Sequence, residues 1–149
     1  MKAVVTRVNS ASVEIEGKIN GAIEKGFLVL LGIGPQDTEA EAELLAEKIC
    51  NCRIFSDEEG KMNLNLETVG GSLLVVSQFT LFADLKSRRP SFSGAGKPAM
   101  AIPLYKRFIT LCRERGFTVE HGEFGADMKV VSENDGPVTL LFDTEDWNK

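Results

Sequence analysis

The sequence has one histidine, His121, and three cysteines in 149 residues. A mechanism that needs two imidazoles is therefore excluded. A zinc site built on several histidines is excluded too, because Cys50 and Cys52 alone supply too few ligands at the wrong spacing. We expect no metal and no other cofactor. Three thiols do not form a paired disulfide framework, which favours a reducing compartment, and we expect them to be buried structural residues.

Long apolar runs are also missing from the sequence. The longest, around residues 27–31, has the length of a strand, whereas a membrane span needs about 18 residues. Arg7 and Glu14 interrupt any apolar signal region near the start. The formal net charge of -5 excludes a globally basic nucleic-acid-binding protein. These features predict a cytoplasmic protein that does not interact with a membrane.

The length is typical of one domain with one hydrophobic core, and we expect a single domain over residues 1–149. Alternating apolar and polar side chains predict strands over residues 2–8 and 11–16, with a turn at Asn20-Gly21 before a buried strand. A capping-box pattern at Thr38 and Glu41 predicts the start of a first helix.

A second helix is predicted over about residues 99–115, and the remaining apolar segments are predicted strands. The strand segments lie at 53–55, 72–83, 117–124, 126–133 and 137–143. This order predicts an α+β fold in which a largely antiparallel sheet, curled into a partly closed barrel, carries two main helices.

Polar residues are concentrated at the end of the most strand-like segment. Ser77, Gln78 and Thr80 surround Phe79 directly after four consecutive apolar residues. If the strand continues, Ser77, Phe79 and Leu81 share one face, while Gln78 and Thr80 share the other. A buried hydroxyl or amide left unpaired costs about 1–3 kcal/mol. The segment is therefore either a structural hydrogen-bond network or a ligand site, and its composition does not decide between them.

The NDGP segment, residues 134–137, joins two predicted strands. Its four residue types are all common in turns, so a turn is the simpler interpretation. The functional alternative is that Gly136 permits close backbone approach next to Pro137. An X-Pro bond is the common place for a cis peptide, which would aim two successive carbonyl oxygens in the same direction.

Positive charge is concentrated in residues 85–107, which contain six cations and no acid. The cations are Lys86, Arg88, Arg89, Lys97, Lys106 and Arg107. A solvated loop is the simple interpretation of this run. A phosphate-bearing partner such as RNA is the alternative.

Three of these segments together resemble the D-aminoacyl-tRNA deacylases of the bacterial and eukaryotic type. They are SQFTL at 77–81, the basic loop that ends in Arg89-Pro90-Ser91-Phe92, and NDGPVT at 134–139. The stretches LLGIG, RIFSDEEGKMNLNL, GGSLLVVSQFTL and FGADMKV are similar to that family as well, so the resemblance covers nearly the whole chain. One departure is Ser87, where the loop of the family has glycine.

The resemblance implies hydrolysis of the ester that joins a D-amino acid to the terminal ribose of tRNA, assisted by the 2′-hydroxyl of the tRNA. It implies a catalytic site made of Ser77, Gln78, Phe79 and Thr80. Phe79 would lie near the terminal adenine, and Gln78, Thr80 and neighbouring backbone amides would surround the ester.

The resemblance also implies a homodimer with each active site at the subunit interface. Gly136 and Pro137 would form a Gly-cisPro element that reaches into the partner's site and rejects L-amino acids, whereas glycyl esters would be cleaved. Lys86, Arg88 and Arg89 would bind the tRNA. Neither DNA nor a membrane is an expected partner.

Two other functions fit parts of the sequence. The basic run would also suit an RNA-binding module without catalysis. A conventional serine hydrolase would use Ser77 as nucleophile and His121 as base, although no nucleophile-elbow motif surrounds the serine.

Overall fold

The computed structural model describes residues 1–147, and the chain begins with three strands. These are β1 (Lys2–Ile15), β2 (Lys18–Ile23) and β3 (Gly26–Gly32). The hairpin turn between β1 and β2 lies at Glu16 and Gly17, whose φ angles of 50° and 79° suit a two-residue loop. The predicted turn at Asn20-Gly21 is wrong, because both residues lie inside β2 and Gly21 pairs with β1.

The two helices lie close to their predicted positions, α1 at Glu39–Cys50 and α2 at Pro98–Glu114. The capping box of α1 is confirmed. Thr38 Oγ1 accepts from the Ala40 N–H at 3.3 Å, and the Glu41 carboxylate accepts from the Thr38 N–H at 2.7 Å. Hydrogen bonds from the Thr38 side chain and backbone hold the pKa of Glu41 below its usual value.

The thiols of two cysteines lie between the helices. Cys50 of α1 and Cys112 of α2 are buried, with their Sγ atoms 3.7 Å apart, as part of the core between the helices and one face of the sheet. The prediction of buried structural thiols is therefore confirmed for these two residues. Cys52 is only partly buried.

Five further strands complete the fold. They are β4 (Phe55–Ser56), β5 (Met62–Leu64), β6 (Ser72–Ser77), β7 (Val119–His121) and β8 (Lys129–Asp143). One six-stranded sheet has the order β2-β1-β3-β6-β7 with β8 paired to β1, while β4 and β5 pair with each other as a separate hairpin.

The sheet is mixed, which corrects the prediction of a largely antiparallel sheet. Strand β1 is antiparallel to β2, β3 and β8, but β6 is parallel to both β3 and β7. The helices explain the difference, because α1 lies in the connection from β3 to β6 and α2 in the connection from β6 to β7. Parallel neighbours require such crossover connections.

The two ends of the strand order approach each other, so the sheet forms a partly closed barrel as predicted. Asn20 Nδ2 of β2 donates to the carbonyl oxygen of His121 in β7 at 2.7 Å. The face of the sheet away from the helices holds a second core that includes Val13, Leu28 and Leu74, so the prediction of one hydrophobic core is wrong. In residues 1–147, no helix has the length and hydropathy needed to cross a membrane.

The NDGP segment lies inside one long strand, β8, and does not separate two strands. Thr6 of β1 pairs with Thr139, and Val8 pairs with Asn134, so the four intervening residues of β8 lie opposite Arg7 alone. The segment therefore bulges away from the ladder. The prediction of two strands with a turn between them is wrong because β1 is long enough to pair with β8 on both sides of the bulge.

Candidate active site

The chain turns at the end of β6 and does not continue as a strand. Strand β6 ends at Ser77, and Phe79–Phe82 forms a short 3-10 helix. The Leu81 N–H donates to the carbonyl oxygen of Gln78 at 3.2 Å, which closes the turn. The predicted alternation of side chains between two sheet faces is therefore wrong beyond Ser77.

This turn places Phe79 between two cavities. The Phe92 cavity has a volume of about 480 Å³, and its lining includes Phe79, Phe92, Lys97, Phe124 and Gly125. The Ser77 cavity has a volume of about 230 Å³, and its lining includes Ser77, Gln78, Phe79, Gly125 and Met128. Phe79 and Gly125 border both cavities, so the two are adjacent, and together they are called the cleft below.

Phe79 offers an aromatic surface to the cleft. The ring is held edge to face against Phe92, with centroids 5.4 Å apart and an interplanar angle of 82°. Phe79 is nevertheless 53% exposed and Phe92 is 38% exposed. Exposed aromatic rings beside an apolar cavity provide a stacking platform for a planar ligand such as a base.

The polar side chains around Phe79 combine a structural network with a cavity wall. Gln78 Nε2 donates to Thr80 Oγ1 at 2.5 Å, so the two side chains are held together by this hydrogen bond. Ser77 and Gln78 line the Ser77 cavity. The hydrogen-bond network that the sequence left as one alternative is therefore present, and the same segment also forms part of a cavity wall.

The NDGP segment is held by a buried arginine. Arg7 Nε donates to the Asp135 carbonyl oxygen at 3.1 Å and lies 3.2 Å from the carboxylate Oδ2 of the same residue, while Nη1 donates to the Ile54 carbonyl oxygen at 2.6 Å. The Gly136–Pro137 bond is cis. Gly136 has a φ of +121°, and a Cβ atom there would lie 2.8 Å from Arg7 Nη2, so the position requires glycine.

Gly136 and Pro137 are not among the residues that line the two cavities beside Phe79. Within one copy of the chain, Ser77, Gln78 and Phe79 therefore line one cavity, and Thr80 is joined to them by its hydrogen bond with Gln78, whereas the NDGP segment does not line it.

Arg7 is not among the predicted site residues, although the sequence carries a signal for it. The side chain lies on the same buried face of β1 as Ala3 and Val5, at the period of two expected for a strand. A cation on a buried face needs a partner, because an unpaired buried charge is very costly. The signal is a charged residue, Arg7, at a position where the strand pattern places an apolar residue. Its partner, Asp135, lies more than a hundred residues away in the chain.

The basic loop is exposed beside the cleft. Lys86, Arg88 and Arg89 lie in a loop closed by an antiparallel bridge between Asp84 and Ser91. Within residues 1–147 these three cations make no ion pair, so their charge faces solvent. Arg107, from the same basic run, differs because its Nε lies 2.7 Å from the Glu39 carboxylate.

Ser87 fits the loop without the conformational freedom of glycine. Among the described non-glycine residues only Glu16 has a positive φ, so Ser87 adopts an ordinary backbone conformation. Its hydroxyl donates to the carbonyl oxygen of Arg89 at 2.7 Å and stabilises the loop.

His121 is not arranged as a base for Ser77. Its Nδ1 donates to the carbonyl oxygen of Gly122 at 2.6 Å, and its ring lines a different cavity, beside α2. The serine-hydrolase hypothesis therefore gains no support from the geometry. Residues 1–147 contain no group of three or more histidine, cysteine, aspartate or glutamate side chains placed to hold a metal ion.

Comparisons with known proteins give a consistent result. A sequence model described as D-Tyr-tRNA(Tyr) deacylase matches residues 4–143. A D-aminoacyl-tRNA deacylase of Shewanella baltica (strain OS185) is 59% identical over 141 residues, which cover 94% of this chain and 97% of the relative. A D-aminoacyl-tRNA deacylase of Thermosipho africanus is 54% identical over 146 residues, covering 97% of this chain and 98% of the relative.

Two solved structures share the fold. The c-Myc DNA unwinding element binding protein has a TM-score of 0.90 and 41% identity, covering 96% of this chain and 98% of that one. A probable eukaryotic D-amino acid tRNA deacylase has a TM-score of 0.82 at 18% identity, covering 95% of this chain and 97% of that one.

The curled mixed sheet, the cleft beside Phe79 and these similarities together define a hydrolase of the deacylase class. The chain belongs to the D-Tyr-tRNA(Tyr) deacylase family. The resemblance seen in the sequence is thereby confirmed for the family and for the enzyme class.

Proposed function

We propose that the protein hydrolyses the ester bond of D-aminoacyl-tRNA and releases the free D-amino acid and tRNA in the cytoplasm. The observation that carries this proposal is the cleft at SQFTL, where the exposed Phe79 ring separates an apolar cavity from a smaller one edged by Ser77 and Gln78. The terminal adenine occupies the Phe92 cavity against Phe79. The aminoacyl ester then lies over the Ser77 cavity.

The chemistry needs positioning more than a strong base, because an aminoacyl ester is already an activated acyl group. Water adds to the ester carbonyl carbon, the bond to the ribose oxygen breaks, and the proton of the water passes to that oxygen with help from the neighbouring 2′-hydroxyl. Gln78, Thr80 and the backbone N–H groups at the start of the 3-10 helix surround the ester, and the backbone N–H groups donate to the developing oxyanion. Loss of one such donor typically costs ~2.7–4 kcal/mol of transition-state stabilisation.

The NDGP segment supplies the choice of enantiomer from a second copy of the chain. It bulges from β8 and is exposed at Gly136 and Pro137, outside the cleft of its own subunit. In a homodimer it would enter the partner's cleft, where its main-chain carbonyl oxygens face the α-carbon of the substrate. An L side chain would collide with this main chain, whereas glycine has no side chain and its ester is also cleaved.

A homodimer is supported by the surface of β8. Strand β8 pairs with β1 along one edge, and in residues 1–147 no strand pairs with its other edge. Val131 and Leu141 on this strand are 52% and 81% exposed. An unpaired strand edge with exposed apolar side chains is a surface that proteins normally cover. Sedimentation velocity tests the dimer, and a monomer at micromolar concentration would contradict it.

The catalytic proposal is tested with matched D- and L-tyrosyl-tRNA, incubated with the purified protein. We expect rapid release of D-tyrosine, negligible release of L-tyrosine, and measurable cleavage of glycyl-tRNA. Equal rates on the two enantiomers, or no release from either, would overturn the proposal.

The alternative of a tRNA-binding module without catalysis does not agree with the membership of a hydrolase family. The unpaired cations Lys86, Arg88 and Arg89 instead support salt-sensitive tRNA binding by the enzyme itself. We propose tRNA and not DNA as the partner, although one similar solved structure is named for binding a DNA element. Competition by a DNA copy of the tRNA acceptor end, at equal length and charge, separates the two nucleic acids.

A further inference from the structure

A third cavity, called here the α2 cavity, lies between α2 and residues 121–124 and has a volume of about 550 Å³. The proposed chemistry does not use it. Its lining includes Lys106, Thr110, Arg113, Glu123 and Phe124. Phe124 also lines the Phe92 cavity, so the two cavities are neighbours that share one aromatic wall.

The lining of the α2 cavity combines three kinds of chemistry. Lys106 and Arg113 are exposed cations spaced seven residues apart on α2, which places them on one side of the helix, two turns apart. Within residues 1–147 Lys106 has no acidic partner, and Arg113 uses one N–H group to donate to the Val119 carbonyl oxygen at 2.7 Å. The exposed carboxylate of Glu123 is an acceptor, and Phe124 provides a ring.

This combination fits a nucleotide better than a simple anion. Cations attract the phosphate, a carboxylate accepts from the amino group of a base, and an aromatic ring stacks on the base plane. A free phosphate would use only the cations, and the carboxylate would repel it. The volume also lies in the usual range of sites for small organic ligands.

Hydrogen bonds and a ring contact of Tyr105 hold the wall of the α2 cavity in place. The buried Tyr105 hydroxyl lies 3.0 Å from the Val75 carbonyl oxygen and 3.3 Å from that of Gly122, which joins α2 to β6 and to the 121–124 segment. Burial raises the pKa of Tyr105, so the hydroxyl stays protonated and continues to donate. The Tyr105 and Phe124 rings are also in contact, with centroids 6.0 Å apart.

We propose that the α2 cavity binds the nucleotide that precedes the terminal adenosine of the tRNA. The enzyme then holds the last two nucleotides of the 3′ strand in neighbouring cavities on either side of Phe124. This inference rests on the proposed function, because it takes the Phe92 cavity as the adenosine site. Lys106 and Arg113 contact the backbone phosphate, and Glu123 accepts from the amino group of the penultimate cytosine.

The test compares three substrates that carry the same D-tyrosyl ester: 3′-D-tyrosyl-adenosine, D-tyrosyl-CCA trinucleotide and D-tyrosyl-tRNA. Only the last two contain the penultimate nucleotide. We expect Lys106→Glu to lower kcat/KM about tenfold on the trinucleotide and the tRNA, the order expected when a charge-assisted hydrogen bond is lost. Its kcat/KM on D-tyrosyl-adenosine should equal that of the wild type.

A second variant tests whether the volume of the α2 cavity is needed, without changing the charge of its lining. Thr110 is exposed on α2 and lines the α2 cavity, so Thr110→Trp fills the cavity without disturbing the core. We expect it to reduce the advantage of the trinucleotide over adenosine. Lys61→Glu is the matched control, because Lys61 is an exposed lysine in the β4–β5 hairpin, outside all three cavities.

The outcomes are distinguishable. An unchanged ratio of trinucleotide to adenosine rates in both α2 variants would overturn the inference, and so would an equal loss on all three substrates, which indicates a structural role. Failure of the wild-type enzyme to cleave even D-tyrosyl-adenosine and D-tyrosyl-tRNA would instead overturn the proposed function, and the inference with it.

Discussion

The rings of Phe79 and Phe92 meet edge to face at a centroid distance of 5.4 Å, although Phe79 follows β6 and Phe92 ends the basic loop. This contact joins the cleft to the loop whose cations face solvent. Under the proposed function, the surface that binds the substrate at the ring is therefore continuous with the loop that attracts the tRNA by its charge.

Phe79→Ala should lower kcat/KM on D-tyrosyl-tRNA by about 5- to 150-fold, because stacking of one base on an aromatic side chain contributes about 1–3 kcal/mol. The free energy of unfolding should change little, since the ring is 53% exposed. Steady-state kinetics and urea unfolding measure the two quantities. Phe79→Tyr keeps the ring and is the control, and an alanine variant with wild-type kcat/KM would contradict the stacking role.

Arg7→Ala should reduce both stability and discrimination between enantiomers. The substitution removes the donor to the Asp135 and Ile54 carbonyl oxygens, and the loss of hydrogen bonds from a buried charged group costs about 1–3 kcal/mol. The ratio of D- to L-tyrosyl-tRNA cleavage should fall because the NDGP segment loses its support. Arg7→Lys keeps the charge but not the planar fork, and it should be intermediate. A lower unfolding midpoint with an unchanged ratio would limit Arg7 to a structural role.

Thr80→Ala should retain part of the activity. The substitution removes the hydroxyl that accepts from Gln78 Nε2 at 2.5 Å, and one neutral hydrogen bond is worth about 0.5–1.5 kcal/mol, or roughly 2- to 13-fold in rate. Single-turnover kinetics measure the chemical step, and Thr80→Ser is the control that keeps the hydroxyl. Complete loss of the chemical step with intact tRNA binding would indicate a covalent threonine mechanism.

Arg88→Glu and Arg89→Glu should weaken tRNA binding and make it less dependent on salt. Each lost phosphate contact is expected to reduce the slope of log affinity against log salt concentration by about 1. Binding measured by filter retention across a salt series gives the slope. Arg107→Ala is the control, because that cation belongs to the same basic run but is paired with Glu39. An equal loss of slope in the control would show that net charge, and not the loop, governs binding.

Local signals predicted the helices well. The capping box at Thr38 and Glu41 involves residues three apart, and its hydrogen bonds form as the pattern predicts. The relative directions of β3, β6 and β7 depend instead on the helical connections through α1 and α2. The alternation of side chains within a strand carries no information about the direction of its neighbours. The mixed sheet was therefore missed, although strands separated by helices are typical of parallel pairing.

The sequence motifs of the site indicate the family, but they do not predict the backbone conformation that each motif adopts. Alternation extended the strand through Phe79, but the hydrogen bond from Leu81 to Gln78 turns the chain there. The NDGP segment has the composition of a turn, yet β1 continues past it and keeps both flanks in one strand. At the NDGP segment a partner distant in sequence, β1, decides the backbone conformation, whereas the turn after Ser77 is closed by a local hydrogen bond that side-chain alternation does not predict.

The bulge opposite Arg7 and the exposed Leu141 belong to the same strand, β8. Under the proposed function, the NDGP segment, which discriminates between the enantiomers, therefore lies on the same surface through which two copies associate. Dilution of the enzyme below the dissociation constant of the dimer would then remove the discrimination between D- and L-substrates together with the dimer. Accuracy towards the substrate would then depend on the abundance of the enzyme itself.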